Sequence, residues 1–156
     1  RPDAACVMHC HPPYPLALCM IEDGRLEFAD QNACRFYEKI AYDNEYGGGA
    51  LDNDEGSRIA NALGNNDVLF MANHGVTVAG TNVAHAWEQL YFLDRACQAQ
   101  VLAMSTGRPL KKIPEHTIRS VAKEIETAES GVTASYQRHF AALKRLLEPE
   151  QPNYRC

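Results

Sequence analysis

The amino-acid sequence predicts an α/β fold, a three-layer α/β/α sandwich around a central mixed sheet, on three observations. A continuous apolar run, Val68-Leu69-Phe70-Met71-Ala72, has strand length and suits a strand covered on both faces. Strand-like and helix-like segments alternate along the chain, as a layered α/β domain requires. Several connections between them are short, so the sheet is expected to mix parallel and antiparallel pairs.

Taken in order, Cys6 to His11 reads as a buried strand stopped by Pro12-Pro13. The apolar segment from Pro15 to Ile21 fits either a helix or a strand. Asp23-Gly24 signals a turn, and Gln31 to Lys39 is expected to form a short helix. Gly47-Gly48-Gly49 reads as a loop, and Asp52 or Asn53 as the cap of a helix that passes Ile59, Ala60 and Leu63 and stops at Gly64. After the Val68 strand come Asn73-His74-Gly75 and a second apolar run, Val76 to Ala79. Gly80-Thr81-Asn82 then precedes a long helix from about Val83 to Met104, whose apolar residues recur at spacings of three and four. Two further amphipathic helices are expected over Glu115–Ala128 and Thr133–Leu147. The reading is one domain over residues 1–148 and an irregular tail over 149–156.

Composition narrows the function classes. Apolar residues make up 46% and charged residues 22% of 156, the balance of a globular chain with a core of its own. A net charge of -5, with basic pairs only at Lys111-Lys112 and Lys144-Arg145, argues against an electrostatic nucleic-acid binder. No run of 18 apolar residues suggests a membrane span. The six cysteines contain no CxxC pair and sit mostly in apolar runs, so they read as reduced thiols of a cytoplasmic protein. The start, Arg1-Pro2-Asp3-Ala4, has neither Met nor a signal-peptide pattern, and the chain is expected to begin inside a longer protein.

The chemistry concentrates in histidines. His9 and His11 lie two apart at a strand end, so both imidazoles leave the same face, roughly 7 Å apart at the backbone. Two imidazoles so placed can converge on one ion, and His74, directly after a buried strand, is the best third ligand. Gly75 beside it permits an unusual turn or a close approach. His85, His116 and His139 read as helix-surface or capping residues. Other HxH metal sites fit poorly: an acid is wanted where Pro13 or Pro15 stands, or a third ligand much closer in sequence than His74.

Val7-Met8-His9-Cys10-His11-Pro12-Pro13-Tyr14 and Met71-Ala72-Asn73-His74-Gly75-Val76-Thr77-Val78-Ala79-Gly80 together resemble the HxH strand and NHG element of the class II aldolase/adducin family. The resemblance runs from about Ala5 to Ala128. Its middle segment, Gln31 to Tyr42, is nearer the decarboxylase-like and adducin-like members than the sugar-phosphate aldolases.

The resemblance implies a metal-dependent carbon–carbon lyase, working by aldol cleavage or decarboxylation, with one Zn2+ or Mn2+ on His9, His11 and His74. The ion would stabilise an enediolate or carbanion of a hydroxy-carbonyl or carboxylate substrate. It also implies a homo-oligomer, commonly a tetramer, with shared active sites. The alternative is a non-catalytic, adducin-like interaction domain. The family's acid–base glutamate and phosphate loops lie upstream of the HxH strand, at positions that by spacing precede Arg1. Glu22, Glu38 and Glu45 are the substitutes this chain offers. The aldolases' tyrosine also has no counterpart where Ala29-Asp30-Gln31-Asn32 stands, which leaves Tyr37, Tyr42 and Tyr46 as proton-donor candidates. Trp87, Tyr91 and Phe92, beyond the stripe of the long helix, suit either a subunit interface or a second layer of this same chain.

Overall fold

The central element is a four-stranded mixed sheet, seen in a computed structural model that describes residues 1–48, 53–130 and 134–154. Its strands are β1 (Cys6–Cys10), β2 (Ile40–Asp43), β3 (Val68–Met71) and β4 (Gly75–Gly80), in the order β1-β4-β3-β2. β4 pairs antiparallel with both β1 and β3, and β2 joins β3 in parallel. The helices are α1 (Pro13–Cys19), α2 (Gln31–Cys34), α3 (Asn53–Leu63), α4 (Val83–Met104), α5 (Glu115–Glu129) and α6 (Ser135–Leu147).

Side-chain alternation splits the apolar residues of the sheet between two faces. Val68, Phe70, Val76 and Val78 pack with Leu18, Phe36, Ala86, Leu93 and Cys97 under α1 and α4. Leu69, Met71 and Ala79 face the other way and meet Leu63, Ile59 and Ala62 of α3. Helices on both faces of a mixed sheet make the three-layer sandwich that the sequence predicts.

α4 runs as expected because Asn82 caps it, its Oδ1 accepting from the His85 N–H at 2.9 Å. It also buries three polar residues. Gln89 reaches His85 at 3.2 Å, Gln100 fastens the segment around Arg25, and Glu88 lies 2.5 Å from His139 of α6. His139 is therefore a packed, hydrogen-bonded residue rather than a surface one. It stands edge-on to Trp87 and Tyr91 with ring centroids 5.0 Å away, and Phe140 covers Trp87 from the same helix. α6 of the same chain thus packs against the aromatics beside the α4 stripe, and Tyr91 stays 37% exposed.

Two local expectations change, one open alternative resolves and one strand is added. His11 lies one residue beyond β1 rather than within it. Pro15 to Ile21 resolves mostly as helix, since Pro13 sits at the first helical turn, where its missing N–H costs nothing. The helix expected to Lys39 ends at Cys34 and continues as turns, with Glu38 in the left-handed region at φ 59°. Ile40–Asp43 becomes a strand, paired in parallel with β3, a long-range partner that no local pattern reveals. Asp23 does take a turn conformation at φ 54°, and Gly64 ends α3 at φ 55°. Gly49, Asp52, the side chain of Asn53, Thr133 and Cys156 lie outside the described residues. Among the described residues no helix is long and apolar enough to cross a membrane.

Gly80 sits where β4 turns into α4. A Cβ there would lie 2.6 Å from the Ala86 nitrogen and 2.9 Å from its Cα, both backbone atoms that cannot yield without moving the helix. Gly80→Val is expected to destabilise the fold by about 2 kcal/mol or more through overpacking. Gly56→Ala, on α3 with open space around it, is expected to stabilise by up to about 1 kcal/mol. Urea unfolding of the two variants beside the parent checks both.

Candidate metal centre

β1 and β3 point the same way, so the end of β1 and the turn after β3 meet at one end of the sheet. In the β1–β4 ladder His9 stands opposite Thr77, which in turn stands opposite Leu69. His9 therefore leaves the α3 face, beyond the reach of the apolar cluster there, and is exposed. His11 follows where Pro12 ends the strand direction. His74 arrives from the β3–β4 turn, Ala72-Asn73-His74, in which Asn73 adopts φ 58°. Asparagine tolerates that region better than most residues.

Gly75 lets the two arms approach. A Cβ on it would fall 2.5 Å from His11 Cδ2 and 2.7 Å from the Cys10 carbonyl oxygen. Any other residue would push the turn off the end of β1. The NHG tripeptide thus combines a left-handed turn residue, a candidate ligand and a contact that only hydrogen fits.

The outcome is a triangle of imidazoles. Ring centroids are 4.8 Å apart for His9–His11, 4.8 Å for His9–His74 and 5.0 Å for His11–His74. One ligand nitrogen from each lies within 4.8 Å of the others. His9 Nε2 and His11 Nε2 face each other at 3.0 Å. A tetrahedral ion with bonds of about 2.0–2.1 Å needs its ligand atoms roughly 3.4 Å apart, so the triangle fits one divalent cation with small adjustments. His9 Nδ1 lies 3.0 Å from the Val76 carbonyl oxygen, which can only accept. That contact assigns the proton to Nδ1 and leaves the Nε2 lone pair facing the centre, a common way of orienting a ligand histidine. Burial, then the neighbouring His9 and His11, holds the His74 pKa below its ordinary value, which favours the neutral, ligating form.

The tyrosine candidates separate by position. Tyr46, 57% exposed, stands edge-on to His74 with centroids 6.1 Å apart. Tyr42 stacks on Phe70, its hydroxyl accepts from the Leu26 N–H at 3.1 Å, and burial pushes its pKa up to about 12. Tyr37 is engaged with Glu115 at 3.0 Å and Arg119 at 2.9 Å. The glutamate substitutes are also dispersed. Glu38 lies 4.0 Å from Arg119, Glu22 lines a cavity beside the centre, and the Glu45 N–H donates to Asp43. Sequence reasoning missed Glu55, an electrostatic neighbour of His74. Its carboxylate pairs with Arg58 at 2.7 Å, and Arg58 in turn holds buried Asp43 at 2.6 Å. The i,i+3 spacing of Glu55 and Arg58 on an amphipathic helix was the available signal; nothing local told that this pair lies beside His74.

A family model described as the Class II Aldolase and Adducin N-terminal domain matches residues 1–101. The chain belongs to the class II aldolase and adducin family. An aldolase II superfamily protein from Pseudomonas syringae superposes with a TM-score of 0.88 at 34% identity, covering 100% of this chain and 61% of that one. The decarboxylase NovR of Streptomyces niveus is 33% identical over 98% of this chain and 58% of its own length. L-fuculose 1-phosphate aldolase from Glaciozyma antarctica superposes with a TM-score of 0.76 at 25% identity, covering 96% of this chain and 55% of that one. This class II aldolase/adducin chain spans about three fifths of the length of the curated relatives it matches first.

Gly75→Ala removes no ligand, yet it is expected to weaken Zn2+ binding by about tenfold to a hundredfold, the range seen when ligand-supporting groups are lost. Metal titration by calorimetry at pH 7.5 checks it, with His74→Ala as the reference for full loss. In both proteins affinity should fall as the pH drops through the histidine range, because protons compete for the same nitrogens.

Proposed function

We propose that the protein is a divalent-metal-dependent carbon–carbon lyase, acting by aldol cleavage or decarboxylation on a hydroxy-carbonyl or carboxylate substrate. The observation that carries this reading is the triangle of His9, His11 and His74, with three ligand atoms within 4.8 Å of one another. Zn2+ and Mn2+ both suit three imidazoles. Membership of the family and the names of its relatives, an L-fuculose 1-phosphate aldolase and a decarboxylase among them, support lyase chemistry.

A bound cation would polarise a substrate carbonyl or hydroxyl and stabilise the negative charge left when the carbon–carbon bond breaks. The chain's own residues shape the centre. Val76 orients His9, Gly75 admits His11, and the turn after β3 brings His74 to them. Tyr46 is the tyrosine at the rim of the centre and serves as proton donor in this reading. Glu55, braced by Arg58, supplies negative charge next to His74. A homotetramer in the cytoplasm completes the proposal. An interaction domain in the manner of the adducins has no use for three converging imidazoles, which favours the enzyme.

In the full-length protein, activity is expected to vanish on chelation and to return with Zn2+ or Mn2+, when hydroxy-aldehydes and hydroxy or aromatic carboxylic acids are screened for cleavage; residues 1–156 alone, without the upstream acid–base glutamate, are expected to be inactive or nearly so. Tyr46→Phe should lower kcat by about 10²-fold or more, the usual contribution of a placed proton donor. Tyr37→Phe should leave kcat within about threefold, because its hydroxyl is committed to Glu115 and Arg119. Metal binding with no turnover on any such substrate would favour the interaction domain instead.

A further inference from the structure

Beside the histidine centre, the segment after α1 and the ends of β2 and β3 enclose a cavity of about 400 Å³. We propose that it binds a small monocarboxylate carrying a hydroxyl or oxo group, gripped by Arg25.

The guanidinium of Arg25 is held from three sides by uncharged groups. It lies 4.2 Å above the Tyr42 ring, Nη1 donates to the Gly24 carbonyl at 2.9 Å, and Nη2 donates to Asn44 Oδ1 at 3.1 Å. No carboxylate pairs with it among the described residues. Arg35 and Arg58, which are also drawn into the structure, each meet at least one: Glu129 for the first, Asp43 and Glu55 for the second. Arginine has five N–H donors, and only two are engaged here, so a fork remains for a ligand.

The backbone around Arg25 is fixed as firmly as the side chain. Gln100, buried on α4, donates to the Arg25 carbonyl at 2.8 Å and accepts from the Glu27 N–H at 2.7 Å. Between these contacts the Leu26 N–H donates to the Tyr42 hydroxyl at 3.1 Å. A cation immobilised in this way has already lost the freedom that ligand binding would otherwise remove.

The remaining charges select the ligand. Asp43 is satisfied by Arg58 at 2.6 Å and by the Glu45 N–H at 3.1 Å. Glu22 and Asp23 line the cavity from exposed positions. Because these two carboxylates are solvent-exposed and screened, the Arg25 fork can still take a single negative charge. A dianion such as inorganic phosphate would meet more repulsion than attraction. Asn44 and Asn73 supply amides for a hydroxyl or oxo substituent. Asn73 is the residue before His74, and its N–H donates to the Cys19 carbonyl at 2.9 Å, so the cavity and the centre share one turn. No imidazole lines the cavity, and the proposal does not depend on metal.

The test is a titration of 15N-labelled, EDTA-treated protein with lactate, and separately with inorganic phosphate, followed by NMR. Saturable shifts of the Arg25 Nε–H and of the Asn44 and Asn73 side-chain amides are expected with lactate, and weaker binding with phosphate. Arg25→Gln should weaken lactate binding by about tenfold or more, the size of a lost hydrogen-bonded charge contact. Asn44→Asp should do the same by a different route, since it gives Arg25 a carboxylate of its own. That variant also decides the matter if Arg25→Gln fails to fold. Unchanged lactate affinity in a folded variant of either kind, phosphate binding as tight as lactate, or no saturable shift would overturn the proposal. Because no metal is present, failure of the lyase reading leaves this result standing.

Discussion

Between Met71 and Gly75 the chain leaves β3, turns through Asn73 in a left-handed conformation and enters β4 with no Cβ at Gly75. The missing Cβ is the constraint on which the centre depends. A methyl there would overlap the His11 ring and the Cys10 carbonyl, and β1 could not end where it does. With it absent, His9 from the edge strand, His11 from just beyond its end and His74 from the turn occupy one small volume. The second glycine of the same motif, Gly80, does a similar job at the other end of β4, where it admits the start of α4. One strand is therefore bounded by two close contacts, one for the centre and one for the core.

The sheet topology carries those local contacts into a site. β4 is hydrogen-bonded on both sides, and its register puts His9 against Thr77 and Met8 against Val78. The same alternation that sends Met8 into the α1–α4 core sends His9 outward, so core packing indirectly aims the ligand. The Val76 carbonyl, left at the end of the ladder, then sets the His9 tautomer. Around this frame the charged residues form short chains. Asp43, Arg58 and Glu55 lead from the sheet to the neighbourhood of His74, while Glu88 and His139 tie α6 to α4.

The two halves of the site are chemically different. On one side of the turn stand three imidazoles suited to a divalent cation. On the other a guanidinium without a carboxylate partner faces a polar cavity. Asn73, which lines the cavity, and His74, a corner of the triangle, are consecutive residues of one turn.

Much was legible in the sequence. The apolar run from Val68, the 3–4 spacing from Val83 to Met104 and the HxH and NHG elements are local signals, and each corresponds to a strand, a helix or a corner of the centre. Such patterns depend on residues close in sequence, which is why they survive without a partner. What only the tertiary structure decided depends on distant neighbours. Ile40–Asp43 is a strand because β3 offers it a parallel edge, and Trp87, Tyr91 and Phe92 meet His139 because α6 folds back against them. Tyr46 and Glu55 lie beside His74, and Arg25 over Tyr42, although nothing in their own segments distinguishes them from surface residues. Periodicity encodes which face of an element is buried. It does not encode which other element arrives there, and that meeting brings Tyr46 and Glu55 to His74 and Arg25 to Tyr42.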